Sequence, residues 1–419
     1  MVRERRTGNG DRMIRRMRTT SSDSAIDQRS SDLRVVLIAG GLIVMVAMGI
    51  RQSFGLYLAP VSEGLGTGRE TFSLAMAIQN IVLGLPLAGL VADRIGGRRV
   101  AAAGGLLYAA GLAAISVLAS TGGLIGGLGL VAGSGLSAVS YVVILGAVGK
   151  VVTPERRSSA FGVITAAGSF GMFAMVPVSQ AILTAVGWET AFLVLAGIVG
   201  STALLALRLP GGAPVHHPDA VESEPFWEVV ASAARNRNYW LLVSGFFVCG
   251  FHVAFVANHL PAYLGDQGIG DSAVAWSLAM IGLLNIAGSW TLGRLGDRYR
   301  ERTLLSVLYG SRALTFSLFL EIPLSSTTAI AFGAIIGFIW LGTLPLTSGA
   351  VAAIFGVRHL GTLYGVVFLS HQVGAFLGVW LGGRVFDATG DYTPVWILGV
   401  LAALVHLPLD ERPAVSRGR

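Results

Sequence analysis

The chain has 419 residues, of which 53% are hydrophobic and 13% are charged, and its mean hydropathy is +0.69. A soluble protein carries about 25% charged residues, so this composition excludes an ordinary soluble enzyme and indicates a polytopic membrane protein. The net charge of +7 does not indicate nucleic-acid binding, because Arg and Lys collect in the cytoplasmic loops of membrane proteins. The single cysteine, Cys249, cannot form a disulfide within the chain.

The first residues, 1–33, are polar and rich in Arg and Ser. They lack the apolar core that a secretory signal peptide requires. We therefore expect a disordered cytoplasmic tail in this segment.

The remainder of the chain is divided into long apolar runs. A membrane-spanning helix needs about 20 apolar residues, and we predict twelve such helices. They are expected at 34–60, 70–92, 98–119, 122–149, 158–186, 189–208, 238–264, 272–294, 303–321, 326–354, 359–386 and 393–409.

Positive charge lies in alternate connections between these helices. The basic connections contain Arg94, Arg98 and Arg99; Lys150, Arg156 and Arg157; Arg208, Arg235 and Arg237; Arg294, Arg298, Arg300 and Arg302; and Arg358. The opposite connections hold little beyond Arg69. This asymmetry predicts that both termini are cytoplasmic and that the protein lies in the inner (plasma) membrane.

A polar, proline-containing stretch near the middle of the chain predicts a linker at 209–237. It would separate an N-terminal six-helix bundle, 34–208, from a C-terminal six-helix bundle, 238–409. Residues 410–419 would form a second cytoplasmic tail.

The two bundles are sequence repeats. "FSLAM" at 72–76 recurs as "WSLAM" at 276–280, and the same spacing relates Gly84 to Gly288 and Asp93-Arg94 to Asp297-Arg298. A similar spacing relates the glycines at 162, 171 and 187 to those at 365, 374 and 390. Two parallel six-helix repeats predict alternating access around a site near the membrane midplane.

The connection after the second helix, "GLVADRIGGRR" at 89–99, resembles the loop motif of the major facilitator superfamily. The resemblance implies an all-α fold of twelve transmembrane helices in two pseudo-symmetric bundles. It also implies a conformational latch at the cytoplasmic side, because an aspartate at a helix end can accept hydrogen bonds from Arg and from a helix N-terminus. The latch candidates are Gly89, Asp93, Arg94, Arg98 and Arg99, with Asp297 and Arg298 in a degenerate second copy.

Two further stretches, "ERRSSAFGVITAAGSFG" at 155–171 and "RQSFGLYLAP" at 51–60, resemble the monocarboxylate porter branch and its oxalate/formate relatives. That resemblance implies secondary transport of a small organic anion, either proton-coupled or by exchange. Those relatives often keep a basic residue deep in helix 8, whereas this helix offers Asn285 instead.

Arg51 follows sixteen residues without a charge and lies at membrane depth. A buried arginine stays protonated, and its placement at a helix centre costs from about 2.5 to more than 10 kcal/mol. The spans offer no Asp or Glu at comparable depth, since Glu321 and Asp387 lie near helix ends. We therefore expect the substrate anion to be the partner of Arg51. The alternative is an arginine that extends to the outer interface or binds backbone carbonyls.

Histidines supply the other titratable candidates. The repeat places His252 at the position equivalent to Arg51, His259 lies two turns further on, and His371 lies in helix 11. Because histidine changes charge near neutral pH, all three are candidates for proton coupling. We predict His252 and His371 as additional substrate contacts, and Tyr141, Asn285 and Trp340 as cavity-lining residues.

Other functions fit the sequence less well. The chain has no Walker loop and no metal-ligand spacing, so we expect no enzyme activity, cofactor or metal. Efflux of amphiphilic drugs is an alternative, although exporters of cations typically carry an acidic residue within the membrane. A non-transporting sensor of the same fold is a second alternative. We expect a monomer whose partners are a small organic anion, protons and lipid. Arg312, in the middle of helix 9, is expected to make interhelical contacts.

Overall fold

The computed structural model describes residues 33–211, 225–356 and 359–404, with the side chains at 154, 155 and 158 excepted. Two predicted tails lie outside this range: the N-terminal tail except for its last residue, Leu33, and the C-terminal tail at 410–419. Residues 212–224 of the predicted linker also lie outside it. The rest of the predicted linker contains a short helix, Phe226–Ala234.

The described chain is helical, and each of the twelve predicted segments contains described helix, although residues 405–409 of the last one lie outside the described residues. They are α1, Leu33–Gly64; α2, Arg69–Gly84 continued by Leu87–Ile95; α3, Gly97–Leu118; α4, Thr121–Gly149; α5 and α6, which together run as Pro154–Ala206; α7, Arg237–Asp266; α8, Asp271–Gly296; α9, Glu301–Glu321; α10, Ser326–Phe355; α11, Leu360–Thr389; and α12, Thr393–Leu404.

Several helices are interrupted where the sequence has a physical reason. Gly187 separates α5 (154–186) from α6 (188–206), and its φ of 74° is accessible to glycine at little cost. The two pieces of α2 meet at an angle of 45° beside Pro86, which lacks a backbone N–H. Both α4 and its repeat partner α10 lose regular helical geometry at mid-depth, at residues 139–140 and 339–342.

Glycines allow the two bundles to approach closely. A Cβ at Gly55 of α1 would collide with the backbone oxygen of Ala257 in α7, and one at Gly84 of α2 would collide with Gln372 of α11. A Cβ at Gly282 of α8 would likewise meet the backbone of α5. Small residues therefore create the contact surfaces between the bundles, as in other membrane helix pairs.

The two ends of the molecule differ in closure. We call the end that carries the basic connections the basic end, and the other the Arg69 end. Among the described residues, the hydrogen bonds and ion pairs between the two bundles extend from the Ser169–Asn285 contact, near the middle of the molecule, to the Arg69 end. Toward the basic end the second piece of α2 is largely exposed, including Leu87 and Leu90. The bundles therefore separate toward the basic end.

Candidate functional site

Arg51 lies partly buried in α1 and donates a hydrogen bond of 2.6 Å from Nη2 to Oδ1 of Asn80 in α2. Its Nε has no hydrogen-bond partner among the described residues. The phenol groups of Tyr108 in α3 and Tyr141 in α4 lie within electrostatic range of the guanidinium group. The described partners of Arg51 are therefore neutral, and its positive charge has no carboxylate beside it.

Close helix contacts fix the position of Arg51. Gly49, one half-turn earlier, lies against the backbone of Gly171 in α5, and Gly171 in turn lies against the backbone of Met45. One turn later Gly55 lies against α7, in a short 3₁₀ segment, Phe54–Tyr57. Because α1 is pressed against both bundles around Arg51, this side chain lies where the two halves of the molecule meet.

A chain of hydrogen bonds extends from Arg51 into the C-terminal bundle. Asn80 also donates from Nδ2 to the carbonyl of Met76, so its Oδ1 is the atom that faces Arg51. Gln372 of α11 donates from Nε2 to the backbone carbonyl of Asn80 over 2.6 Å. His371 lies next in the chain, with Nδ1 2.8 Å from Oε1 of Gln372. The structure therefore links two of the predicted site residues, Arg51 and His371, through the side-chain and backbone oxygens of Asn80 and the side chain of Gln372.

Tyr141 is the predicted cavity residue that the structure brings to Arg51, and its hydroxyl lies against Gly168 of α5. Asn285 instead joins helices: Nδ2 donates to Ser169 of α5, and Oδ1 accepts from the backbone N–H of Leu341 in the α10 break. Trp340 is 2% exposed and lies within the same break. The contacts of Asn285 and the burial of Trp340 are those of packing residues.

The structure does not bring His252 or His259 to Arg51. His252 lies 2.8 Å from the carbonyl of Gly399 in α12, and its ring packs against Phe316 of α9. These contacts lie on the side of α7 that faces α9 and α12. The repeat correctly relates the sequence positions of Arg51 and His252, but their side chains have different surroundings.

His259 belongs to a polar cluster at the Arg69 end. Its Nε2 lies 2.8 Å from the carbonyl of Val379, and its Nδ1 lies 3.3 Å from the hydroxyl of Tyr392. That hydroxyl also accepts a hydrogen bond from Arg69 of α2. Arg69 makes a two-point ion pair with Asp266 at the end of α7. His259 is therefore connected to the contact between the bundles rather than to Arg51.

The contact at the Arg69 end is completed by α11, and sequence reasoning missed it. Asp387 accepts hydrogen bonds of 2.9 and 2.8 Å from the backbone N–H groups of Arg69 and Glu70, the first residues of α2. Glu70 also pairs with Arg384 over 3.1 Å. We call Arg69, Glu70, Asp266, Arg384 and Asp387 the Arg69 cluster. The available signal was that Arg69 is a lone basic residue among connections otherwise poor in positive charge.

The predicted latch residues lie at the basic end. Gly89 lies near the side chain of Val142 in α4. Arg98 donates from Nε to the carbonyl of Leu209 over 2.6 Å, within the N-terminal half. The charged residues of both motif copies are exposed, namely Asp93, Arg94, Arg98, Arg99, Asp297 and Arg298. Their role in closing this end remains a prediction, because the bundles are apart here.

Tyr108 is a second residue near Arg51 that sequence reasoning did not select. It is fully buried, and its hydroxyl has no hydrogen-bond partner among the described residues. The available signal was a lone tyrosine in the apolar run "GGLLYAAGL" at 104–112.

Comparison with protein families and known proteins identifies the architecture. The family model described as Major Facilitator Superfamily matches residues 40–379. The chain belongs to the Major Facilitator Superfamily. It is therefore a multi-pass membrane protein of a transporter family that acts on small molecules, and it is not an enzyme.

Relatives from several organisms are similar over most of the chain. The uncharacterized MFS-type transporter YcxA of Bacillus subtilis (strain 168) is 26% identical, covering 87% of this chain and 92% of that protein. The oxalate:formate antiporter of Oxalobacter formigenes is 24% identical, covering 87% of both chains. Monocarboxylate transporter 12-B of Danio rerio is 25% identical, covering 76% of this chain and 73% of that protein. The predicted resemblance to this branch is confirmed.

Solved structures confirm the fold. The nucleoside transporter NupG superposes with a TM-score of 0.74 at 14% identity, covering 90% of this chain and 98% of that one. A bacterial homolog of the human lysosomal transporter Spinster superposes with a TM-score of 0.70 at 14% identity, covering 90% and 95%.

Proposed function

We propose that this protein is a secondary active transporter of a small organic anion, and that Arg51 binds the anion's carboxylate. The observation that carries the proposal is the surroundings of Arg51: neutral partners, and an Nε without a hydrogen-bond partner among the described residues. A cation at this depth is costly unless an anion or water accompanies it. A carboxylate can accept two parallel hydrogen bonds from a guanidinium group, which makes it a suitable ligand.

Tyr108 and Tyr141 support an anion rather than a cation as the ligand. A phenol hydroxyl can donate a hydrogen bond to a carboxylate, and that of Tyr108 has no described partner. Arg51 would repel a cationic drug from the same place. The names of two relatives, the oxalate:formate antiporter and monocarboxylate transporter 12-B, agree with a carboxylate substrate.

We further infer that the basic end is cytoplasmic, that both termini lie on that side of the plasma membrane, and that the conformation described is open to the cytoplasm. The positive-inside distribution supports this orientation. The Arg69 cluster joins the bundles at one end, and the bundles separate at the basic end. Both observations support a conformation that is open to the cytoplasm. Of the three candidate histidines, His371 remains as the proton carrier, because hydrogen bonds connect it to Arg51.

Uptake into proteoliposomes tests the assignment, with labelled formate, oxalate and lactate as anions and tetraphenylphosphonium as a cation. We expect wild-type protein to transport at least one of the anions and not the cation. Arg51→Gln should abolish anion uptake, and Arg51→Lys should weaken it, because an ammonium group lacks the planar two-point grip of a guanidinium. Arg34→Gln, which removes an exposed arginine from the same helix, is the matched control.

Normal anion transport by the Arg51→Gln protein would show that Arg51 does not bind the substrate. Transport of tetraphenylphosphonium without transport of any anion would favour drug efflux instead. Correct folding of the variant is verified by its elution as a single species and by its melting temperature.

A further inference from the structure

The amide of Gln372 determines which nitrogen of His371 carries a proton. A backbone carbonyl can only accept a hydrogen bond, so the Gln372 atom that faces the carbonyl of Asn80 is the donor Nε2. Its other amide atom, Oε1, can only accept, and it lies 2.8 Å from Nδ1 of His371. Nδ1 must therefore carry the hydrogen. Neutral imidazole has one N–H, so Nε2 of His371 is then left as a bare acceptor.

Aromatic rings and a thiol surround that acceptor. Nε2 of His371 is buried and has no hydrogen-bond partner among the described residues. The rings of Phe246 and Phe368 flank the imidazole. The thiol of Cys249 in α7 lies within hydrogen-bonding range of the imidazole, and its sulfur also contacts the hydroxyl of Thr343 in α10 over 3.1 Å.

Two arginines complete the charged surroundings. Arg312 of α9 lies beside Cys249, where it donates to the carbonyls of Ile339 and Trp340. Arg51 of α1 is reached through Asn80. Both arginines are positively charged. A proton on Nε2 therefore adds a third positive charge to this region, and an anion would offset it.

We propose that Gln372 positions His371 as a proton acceptor at Nε2, and that Asn80 couples this proton site to the anion site at Arg51. Proton uptake transfers a proton from a hydronium ion that reaches the imidazole: one O–H bond breaks, the Nε2–H bond forms and water leaves. This inference rests on the proposed function, because it identifies the proton that accompanies the anion.

Asn80 is suited to this coupling because it holds both sites at once. Its side-chain oxygen accepts from Arg51, and its backbone oxygen accepts from Gln372. Asn80 and Arg51 belong to one bundle, whereas Gln372 and His371 belong to the other. Any rocking motion that separates α2 from α11 breaks the hydrogen bond between Gln372 and Asn80. The Gln372 amide can then rotate, and the proton preference of His371 changes with the conformation.

The ring protonation of His371 can be measured without any substrate. Protein with ¹⁵N-labelled histidine is reconstituted in lipid and examined by NMR at alkaline pH, where imidazole is neutral. The His371→Gln spectrum identifies the His371 signals by difference. We expect wild-type His371 to show a protonated Nδ1 and an unprotonated Nε2.

Two substitutions at Gln372 separate orientation from coupling. Gln372→Leu removes the acceptor, so the unprotonated Nε2 signal should be lost in favour of the other tautomer. Gln372→Glu keeps an acceptor for Nδ1–H but cannot donate to Asn80, so the tautomer should persist. A wild-type His371 with a protonated Nε2, or a Gln372→Leu spectrum identical to wild type, would overturn the proposal.

Transport supplies the second measurement. Labelled formate uptake with and without an imposed pH gradient should show loss of the gradient's stimulation in both variants. Gln267→Glu, the same chemical change at an exposed position, should retain it. Stimulation equal to wild type in the Gln372 variants would contradict the coupling. The NMR result does not depend on an anion substrate, so failure of the proposed function would be seen in uptake alone.

Discussion

Asp387 provides the sharpest test of how the bundles are held together at the Arg69 end. It accepts hydrogen bonds from the first two backbone N–H groups of α2, at Arg69 and Glu70, although it belongs to the other bundle. Gly68, the residue before α2, has no side chain that could cap this helix. A Cβ at Gly68 would also collide with the Asp387 carboxylate. Asp387 is therefore an N-cap supplied across the interface.

The free-energy cost of Asp387→Asn can be estimated from these two hydrogen bonds. Asparagine keeps one acceptor oxygen but replaces the other with an NH₂ group, so one of the two hydrogen bonds is lost at a net cost of about 0.5–1.5 kcal/mol. Loss of the negative charge at the helix N-terminus costs about a further 0.3–1 kcal/mol. Because Asp387 is exposed, we take about 1–2 kcal/mol for Asp387→Asn. Since 1.4 kcal/mol corresponds to a factor of ten, the ratio of open to closed molecules at this end should rise about 5- to 30-fold.

Distance measurement between spin labels provides the assay. Glu63 on α1 and Gln267 after α7 are exposed and belong to different bundles, so cysteines at both positions report on this end. The buried Cys249 is replaced by serine in the background. Asp387→Asn should increase the long-distance population. Asp391→Asn is the matched control, because Asp391 caps only its own helix at Thr393. An unchanged distribution, or an equal effect of the control, would refute the reasoning.

Two further predictions concern the basic end and the helix contacts. Asp93 is exposed in this conformation, so Asp93→Asn should leave this conformation intact and destabilise the state closed at the basic end by about 1.5–3 kcal/mol. A cysteine introduced at Gly365 should then be labelled faster than in the parent protein. Unchanged labelling would count against the latch. Gly250→Val forces a Cβ against the backbone oxygen of His371, so it should lower the free energy of unfolding by about 1–3 kcal/mol and reduce the melting temperature. Gly146→Val is the control, because a Cβ at Gly146 meets open space and should not change the melting temperature.

The sequence was sufficient to predict the fold because its signals are local or periodic. Apolar runs of spanning length, alternating basic connections and repeated glycines each depend on one helix or one pair of loops. The same kind of reasoning identified Arg51, because an arginine in an uncharged run is costly wherever the helix packs.

The details of the site were harder to predict because they depend on how helices face one another. Asn285 and His252 are polar residues at depth, but packing turns them toward neighbouring helices. Tyr108 belongs to α3, whose sequence has no other polar residue nearby, and only the packing of α3 brings this side chain near Arg51. Asp387 and Arg69 are more than 300 positions apart in the chain, and only the packing of α2 on α11 brings them together.

The break in α10 has a consequence for how the C-terminal bundle can move. At residues 339–342 the backbone leaves carbonyl groups without helical partners, and Arg312 of α9 donates to those of Ile339 and Trp340. Buried carbonyls without a donor would resist any further opening of the helix at this point. A guanidinium group carries several donors on a long flexible stem. We therefore expect that the two pieces of α10 can change their mutual angle while Arg312 of the neighbouring helix keeps their free carbonyls hydrogen-bonded.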